Sequence, residues 1–245
     1  MTMINQMRVE ARKLLTLRGT YVVAGLTVLV PAIITAVRIG TEDPNVEFPT
    51  TASRLELLGG SLPFNALFVG LGALLTAGEW RHGTAVPTFL AEPRRWRVVT
   101  AQVAVAGLAG TVVATLTAAA IRVTAHLGLV AWDSPTGFGA DQWPTMLGVV
   151  LGGVAMTVIG AGLGAVLRNP ALTAVAVGAG GLVVEMLFGF FSSGLGEALS
   201  LTLAVQRLVV EDGQGPLEIE GLFTLAGWAA ATLAVGIRRT ATADI

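Results

Sequence analysis

The 245-residue sequence contains no cysteine, and charged residues make up only 13% of it. Without cysteine the chain has no disulfide, no thiolate metal ligand and no cysteine nucleophile. Its two histidines, His82 and His126, lie far apart in the sequence, which argues against a dedicated zinc site. In soluble domains about a quarter of all residues are charged. The low charge, the 53% of hydrophobic residues and the mean hydropathy of +0.74 therefore indicate a protein built for lipid.

Several catalytic and nucleotide-binding motifs are also missing. No G-x-x-x-x-G-K-[ST] phosphate loop occurs, and the single lysine, Lys13, is not preceded by a glycine-rich loop. The metalloprotease pattern H-E-x-x-H and the esterase pattern G-x-S-x-G are absent as well. The formal net charge of −1 gives no support for a nucleic-acid partner. We expect this chain to be no enzyme and to hold no metal or cofactor of its own.

Six regions are long and apolar enough to cross a bilayer. A spanning helix needs roughly 20 residues, and an ionised side chain near the bilayer centre costs roughly 2.5 to 3.5 kcal/mol, so runs with few charges are informative. Backbone groups in lipid must satisfy their own hydrogen bonds, so each span is expected to be an α-helix. The sequence predicts one all-α transmembrane domain over residues 1–245, with spans at about 19–39, 58–78, 98–121, 144–167, 170–192 and 220–238.

The basic residues are concentrated in the segments that would lie on one side of the membrane. Eleven of the fifteen precede the first span, connect the second to the third or the fourth to the fifth, or follow the sixth. Because short cytoplasmic segments carry an excess of Lys and Arg, this side is predicted to face the cytoplasm. Both chain termini are then cytoplasmic, as an even number of spans requires.

Two segments outside the spans have helical patterns. Residues 1–18 are predicted to form an amphipathic helix on the inner membrane surface, with Arg8, Arg12 and Lys13 off the apolar stripe of Ile4, Met7, Ala11, Leu14 and Leu15. A frayed tail is the alternative. Residues 197–218 contain an apolar stretch that is too short to span, which predicts an interfacial or re-entrant element on the outer side.

The connection between the second and third spans, residues 79–97, is patterned more regularly than a passive loop. Thr84 is placed to cap a short helix, Pro87 is tolerated in its first turn, and Pro93 would end it. Apolar residues follow at helical spacing, namely Val86, Phe89 and Leu90. A short amphipathic helix between two spans is suited to docking on a cytoplasmic partner. The alternative is a basic interfacial loop that simply obeys the positive-inside rule.

This connection resembles a known signature. Glu79-Trp80-Arg81-His82-Gly83-Thr84, followed by Pro93-Arg94-Arg95, is similar to the cytoplasmic E-x-R-x-G-T and P-x-R motifs of ABC-2-type permeases. The resemblance extends in outline to six helices, a basic amphipathic N-terminal helix and a glutamate in the fifth span, Glu185. Such permeases commonly carry lysine at the position that Gln102 occupies here.

The resemblance implies the membrane half of an ABC exporter in a bacterial cytoplasmic membrane. Residues 79–97 would be the coupling helix that docks on a separate ATP-binding subunit, which holds ATP and Mg. Two such subunits would work with two permeases, as a homodimer or heterodimer, and cargo would be amphipathic or lipid-like. The apolar stripe is expected to enter a groove of the ATPase, with the charges near its rim. The residues expected to take part are Glu79, Arg81, Gly83, Thr84, Val86, Phe89, Leu90, Pro93, Arg94 and Arg95.

Glu185 supports two further readings. An intramembrane carboxylate is a functional candidate, so a proton-coupled secondary transporter is one alternative, while a role in helix assembly is an equal reading of the same residue. A membrane assembly factor without transport activity is another alternative. Glycines at four-residue spacing, Gly148 with Gly152 and Gly160 with Gly164, favour close helix contact, which we expect within the chain rather than at a dimer seam.

Overall fold

The computed structural model describes residues 2–48, 50, 53–54, 57–58, 64–92, 94–138, 142–177, 200–209 and 219–242. Over these residues the regular secondary structure is entirely helical, as predicted. The helices are α1 (Met3–Thr16), α2 (Arg18–Thr41), α3 (Pro44–Glu47), α4 (Phe64–Arg81), α5 (Ala85–Ala91), α6 (Arg95–Ala131), α7 (Gln142–Leu167), α8 (170–177), α9 (Leu201–Val209) and α10 (Ile219–Ala241).

Four of these helices, α2, α6, α7 and α10, are long and apolar enough to cross a membrane. The predicted bounds of the first, fourth and sixth spans agree with α2, α7 and α10 to within three residues. The predicted second span corresponds to the 18-residue α4. The described part of the predicted fifth span is α8, where the Asn169 side chain accepts the backbone N–H groups of Ala171 and Leu172 and caps the helix start.

Helix α6 is longer than the sequence predicts. The third span was expected to end at Ile121 because Arg122 follows it, but α6 continues to Ala131 and has 37 residues. Arg122 is accommodated on the helix: its Nε donates to Gln142 Oε1 at 3.0 Å, and its guanidinium carbon lies 4.6 Å from the ring centroid of Phe138. A paired arginine therefore does not mark the end of a helix here.

Helix α7 lies at the centre of the bundle and packs against α4, α6, α9 and α10. Its glycines permit this close approach. A Cβ on Gly160 would overlap the Val69 carbonyl of α4, and one on Gly148 would overlap the Leu208 carbonyl of α9. Gly164 and Gly152 face the same two helices. The expectation that these glycines serve packing within the chain is confirmed.

The surface of the bundle is apolar, as lipid requires, and buried threonine hydroxyls inside it are hydrogen-bonded. Buried threonines in α2, α6 and α7 return their hydroxyl hydrogen to the carbonyl four residues earlier, as Thr27 does to Val23 at 2.7 Å and Thr157 to Gly153 at 2.8 Å. Large apolar side chains point outward along α2 and α6, namely Val22, Leu26, Leu29, Ile33, Val37, Leu108, Val112, Leu116, Val123 and Leu127.

Helix α1 is folded and packed, so the alternative of a frayed N-terminal tail is wrong. Its predicted apolar stripe divides between two environments. Met7, Ala11 and Leu14 pack against the apolar cluster formed by α4, α6 and α7, whereas Ile4 and Leu15 are exposed. A polar face, unexpected from the sequence, is also buried and includes Gln6 and Glu10. The helix therefore contacts the bundle with apolar and polar side chains together.

The segment before the last span contains a packed short helix. Helix α9 buries Ala204, Val205, Leu208 and Val209 against α7 and α10. Its Arg207 pairs with Glu220 at the start of α10 at 3.3 Å. The helical part of the predicted outer segment is thus an integral part of the bundle.

Candidate functional site

The sharp turn between α4 and α5 depends on Gly83. Its φ of +70° lies in the left-handed region that glycine adopts without steric cost. The N–H of Thr84 donates to the Glu79 carbonyl at 2.9 Å, and the N–H of Gly83 donates to the Trp80 carbonyl at 3.4 Å. These two bonds form a Schellman motif, which ends α4 and reverses the chain direction. The E-x-R-x-G-T sequence therefore encodes a helix stop.

Helix α5 follows at once and confirms the predicted short helix. Thr84 precedes its first residue, but the prediction that the Thr84 side chain caps it is wrong. Its hydroxyl donates instead to the Glu79 carbonyl at 3.4 Å. Pro87 lies in the first turn, where its missing N–H costs nothing. The helix ends at Ala91, and Pro93 lies outside the described residues.

The three residues of the predicted apolar stripe do not share one environment. Leu90 is 77% exposed and Val86 is 45% exposed, whereas Phe89 is 7% exposed. Phe89 packs on Trp80, with the ring centroids 6.0 Å apart, and belongs to a small cluster with Ala85 and Val98. The expectation that Phe89 faces a partner is therefore wrong, because this side chain is buried within the chain and holds α5 against its neighbours.

A polar cluster lies where α1, α4 and α5 meet. The ammonium of Lys13 in α1 donates to Glu79 Oε1 in α4 at 2.5 Å, to Glu10 Oε1 at 2.9 Å and to Thr88 Oγ1 in α5 at 3.2 Å. An ammonium has three N–H groups, so one lysine contacts acceptors in three helices. Thr88 Oγ1 also lies 3.3 Å from Glu79 Oε1.

Glu10 is fully buried and has several donors around it. Besides Lys13, Gln6 Nε2 donates to its Oε1 at 3.2 Å and Gln102 Nε2 to its Oε2 at 3.5 Å. Desolvation and the nearby Glu79 carboxylate nevertheless raise the pKa of Glu10 above its usual value. For Lys13, burial opposes the charged form, but the hydrogen bonds to Glu79 and Glu10 outweigh it and raise the pKa. The cluster therefore keeps its lysine charged.

Two arginines tie the same region to other parts of the bundle. Arg168, between α7 and α8, lies 3.9 Å from the ring centroid of Trp80, and desolvation together with Arg239 lowers its pKa. Arg95 Nη1 donates to the Thr240 carbonyl at 3.2 Å, at the end of α10. A cation there is favourable, because the last carbonyls of a helix carry partial negative charge. The two arginines thus connect this region to α7, α8 and α10.

A cavity of about 210 Å³ lies beside the polar cluster. Its apolar wall includes Leu17, Leu74 and Leu75, and its polar wall includes Glu10 and His82. Among the described residues no group of three or more His, Asp or Glu side chains is arranged to hold a metal ion.

The structure brings the predicted site residues together in part. Arg81, Val86, Leu90 and Arg94 are exposed around α5. Glu79 was expected at the rim of a docking surface, but it is buried beneath α5 and paired with Lys13. Glu185 lies outside the described residues, so its role stays a prediction.

Sequence reasoning missed the polar partners of this segment. Of these, Gln6, Glu10 and Gln102 are buried, and Lys13, Thr88 and Arg168 are half-buried. For three of these residues the sequence itself contains a signal, which is their spacing. Gln6, Glu10 and Lys13 are spaced by four and three residues and so share one face of a helix. Glu10 is also the sole acidic residue among the first forty. The predicted apolar stripe drew attention away from this polar face.

No protein-family model matches the chain, and no curated protein shows significant similarity to it. The functional assignment therefore depends on the geometry described above and on the resemblance of residues 79–97 to the ABC-2-type signature.

Proposed function

We propose that this chain is the membrane-spanning permease subunit of an ATP-driven ABC exporter. The observation that supports this most is the form of residues 79–97. Helix α4 ends at the Gly83 turn, and the short helix α5 follows. Helix α5 packs on the bundle through the buried Phe89 and is exposed on its outer face. A passive loop needs neither the Schellman turn nor the buried Phe89. An exposed, rigidly supported helix is suited to binding a protein partner.

The exposed face of α5 combines apolar and basic groups. Val86 and Leu90 supply apolar contact area, and Arg81 and Arg94 supply charge beside it. Interfaces commonly have a buried apolar centre and a charged rim that sets orientation and association rate. In this proposal Leu90 is the main anchor, and Phe89 contributes by supporting the helix. The partner is an ATP-binding subunit that holds ATP and Mg.

The full proposal has six spans. Helices α2, α6, α7 and α10 are joined by α4 and by the predicted fifth span, of which α8 is the described part. At 1.5 Å per residue the 18 residues of α4 extend about 27 Å, close to the roughly 30 Å of a bilayer core. We infer that α5 and both termini face the cytoplasm, because the end of the bundle that carries α5 is rich in basic residues. The membrane is the bacterial cytoplasmic membrane.

The working exporter contains two permeases and two ATP-binding subunits, with the translocation pathway between the permeases. Cargo is amphipathic or lipid-like, by analogy with exporters of this kind. A proton-coupled transporter that uses Glu185, and a membrane assembly factor, would both lack the ATPase partner. An ATPase that co-purifies with the chain therefore distinguishes the exporter from the other two functions.

The test is co-purification of the full chain from native membranes, followed by identification of any P-loop ATPase bound to it. Leu90→Asp should reduce the bound ATPase at least tenfold, since truncating or charging an interface anchor commonly costs 2 kcal/mol or more. Val46→Asp is the matched control, because Val46 is an equally exposed apolar residue, 68% exposed, on α3. It should leave the ATPase bound. Absence of an ATPase, or equal capture by both variants, would reject the exporter proposal.

A further inference from the structure

We propose that Lys13 is a positioning residue that links the orientation of α5 to α1, and through α1 to the first spanning helix. The functional importance of a change in the orientation of α5 rests on the proposed function, in which α5 is the docking helix. Its structural content is independent of any partner. It concerns how α1, α4 and α5 are held together in this chain alone.

The Lys13 ammonium contacts three helices at once. Its three acceptors lie in α1, α4 and α5, at 2.9, 2.5 and 3.2 Å. The contact to Thr88 reaches the middle of α5, and the contact to Glu79 reaches the last turn of α4. A shift of α5 relative to α4 would change at least one of these distances. The lysine therefore senses the position of both helices.

The buried cluster contains more negative than positive side chains. Two carboxylates, Glu10 and Glu79, share one lysine, and they are 0% and 7% exposed. Removing one partner of a buried charged group is costly, because the remaining charge is left uncompensated. Gln6 and Gln102 donate to Glu10 but not to Glu79. Besides Lys13, the Thr88 hydroxyl approaches Glu79 Oε1 at 3.3 Å, so Lys13, Glu79 and Thr88 together hold α1 against α4 and α5.

Helix α1 is connected directly to the first spanning helix, α2. A single residue, Leu17, separates α1 from α2, and the Tyr21 hydroxyl donates across this joint to the Leu15 carbonyl at 2.7 Å. A short joint that carries a hydrogen bond transmits a rotation of α1 to the start of α2. Displacement of α5 is thus passed through Lys13 to α1, and from α1 to a spanning helix.

The experiment uses the absence of cysteine from the chain. Spin labels are attached to Arg12→Cys on α1 and Ala91→Cys on α5, both exposed positions, in the full chain in lipid nanodiscs. Double electron–electron resonance then gives the distribution of distances between α1 and α5. The parent should show one narrow distribution. Lys13→Met, which keeps the apolar stem of lysine, should at least double its width.

Three variants separate positioning from general stability. Lys13→Arg keeps a charged donor and should keep the narrow distribution. The charge exchange Lys13→Glu with Glu79→Lys should restore much of what Lys13→Glu alone loses. Arg8→Met is the matched control, because Arg8 is an exposed cation on the same helix, and it should change nothing. Lys13→Met is expected to lower the unfolding midpoint, because two buried carboxylates lose their partner. The broadening is local if the variant still unfolds in one cooperative transition well above the temperature of the distance measurement.

A narrow, unshifted distribution in folded Lys13→Met would overturn the proposal, whether or not an ATPase is found. If Lys13→Met does not fold, Thr88→Val tests the same link with less perturbation, and an unchanged distribution in that variant is equally decisive. Broadening in Lys13→Met without any captured ATPase would support the link and reject the exporter. The two proposals therefore fail separately.

Discussion

The two ends of the helix bundle are closed by different chemistry. At the end that carries α5, buried carboxylates share Lys13, and arginines contact the Trp80 ring and the last carbonyls of α10. At the opposite end an apolar cluster is the main contact, and the buried Arg54 donates from its Nε to the Phe48 carbonyl at 2.9 Å. There Leu129 and other buried residues of α2 and α6 pack with Phe138, and Arg122 covers the Phe138 ring.

This difference has a physical consequence. Apolar packing is non-directional and tolerates small shifts only at the cost of contact area, so it favours one close-packed arrangement. A shared lysine can exchange acceptors over a short distance, because each carboxylate offers several acceptor positions. We therefore expect the lysine cluster to hold α5 in place while permitting small exchanges of acceptor, whereas the apolar end keeps one close-packed arrangement.

The largest expected effect comes from the close contact of Gly160 in α7 with the backbone of α4. Gly160→Ala places a methyl group against the Val69 backbone, which cannot rotate away as a side chain can. We expect a loss of about 3 kcal/mol, the upper end of the usual range for overpacking. Gly25→Ala is the control, because a Cβ there meets nothing within 4 Å. The measurement is the midpoint of thermal unfolding, and equal midpoints for the two variants would contradict the central role of α7.

An intermediate effect is expected at the apolar end. Leu129→Ala should cost about 2 to 3 kcal/mol, since it removes a side chain that is 0% exposed. Leu127→Ala, on the same helix at a position that is 62% exposed, should cost less than about 0.5 kcal/mol. Hydrogen exchange should show increased opening near α3 and the end of α6 in Leu129→Ala, but not near α5. Opening at both ends would show that the ends are not separate units.

The smallest expected effect is the pH dependence of the α5 end. Since burial and Glu79 raise the pKa of Glu10, the folded protein binds this proton more tightly than the unfolded chain does. The resulting stability is fully present below the ordinary value of 4.5 and is lost as the pH rises through the raised value. Glu10→Gln should remove this loss, so the unfolding midpoint of the variant should fall less than that of the parent as the pH rises.

The comparison for Glu10→Gln is Glu42→Gln, an exposed carboxylate at the opposite end that pairs with Arg38 at 3.8 Å. This variant should keep the pH dependence of the parent. The midpoints are measured from pH 4 to neutrality in the same detergent. A parental pH dependence in Glu10→Gln would show that another group causes it.

The sequence predicts the helices better than it predicts their contacts. The runs without charge locate α2, α7 and α10, because an unpaired charge inside lipid is costly and marks their ends. The same rule ends the third predicted span at Ile121, whereas α6 itself continues for ten more residues, where Arg122 is paired with Gln142 and covers Phe138. The rule applies to unpaired charges, and pairing depends on neighbours that are distant in sequence.

The site shows the same limit at the level of side chains. The glycine turn and the short helix follow from local sequence, because Gly83 permits a positive φ and Pro87 fits a first turn. The direction of Phe89 does not, since a stripe of three apolar residues fits a partner and the chain's own bundle equally well. The polar face of α1 is a local pattern too, but its acceptors in α4 and α5 become its neighbours only in the folded chain.

The length of α6 also has a mechanical consequence. Its 37 residues form one unbroken rod of about 55 Å, which starts beside the Phe89 cluster and ends in the apolar cluster at the other end. A rod of that length, turned by about 5° about one end, moves its far tip by about 5 Å. A tilt too small to disturb packing near its pivot is thus amplified across the full thickness of the bundle.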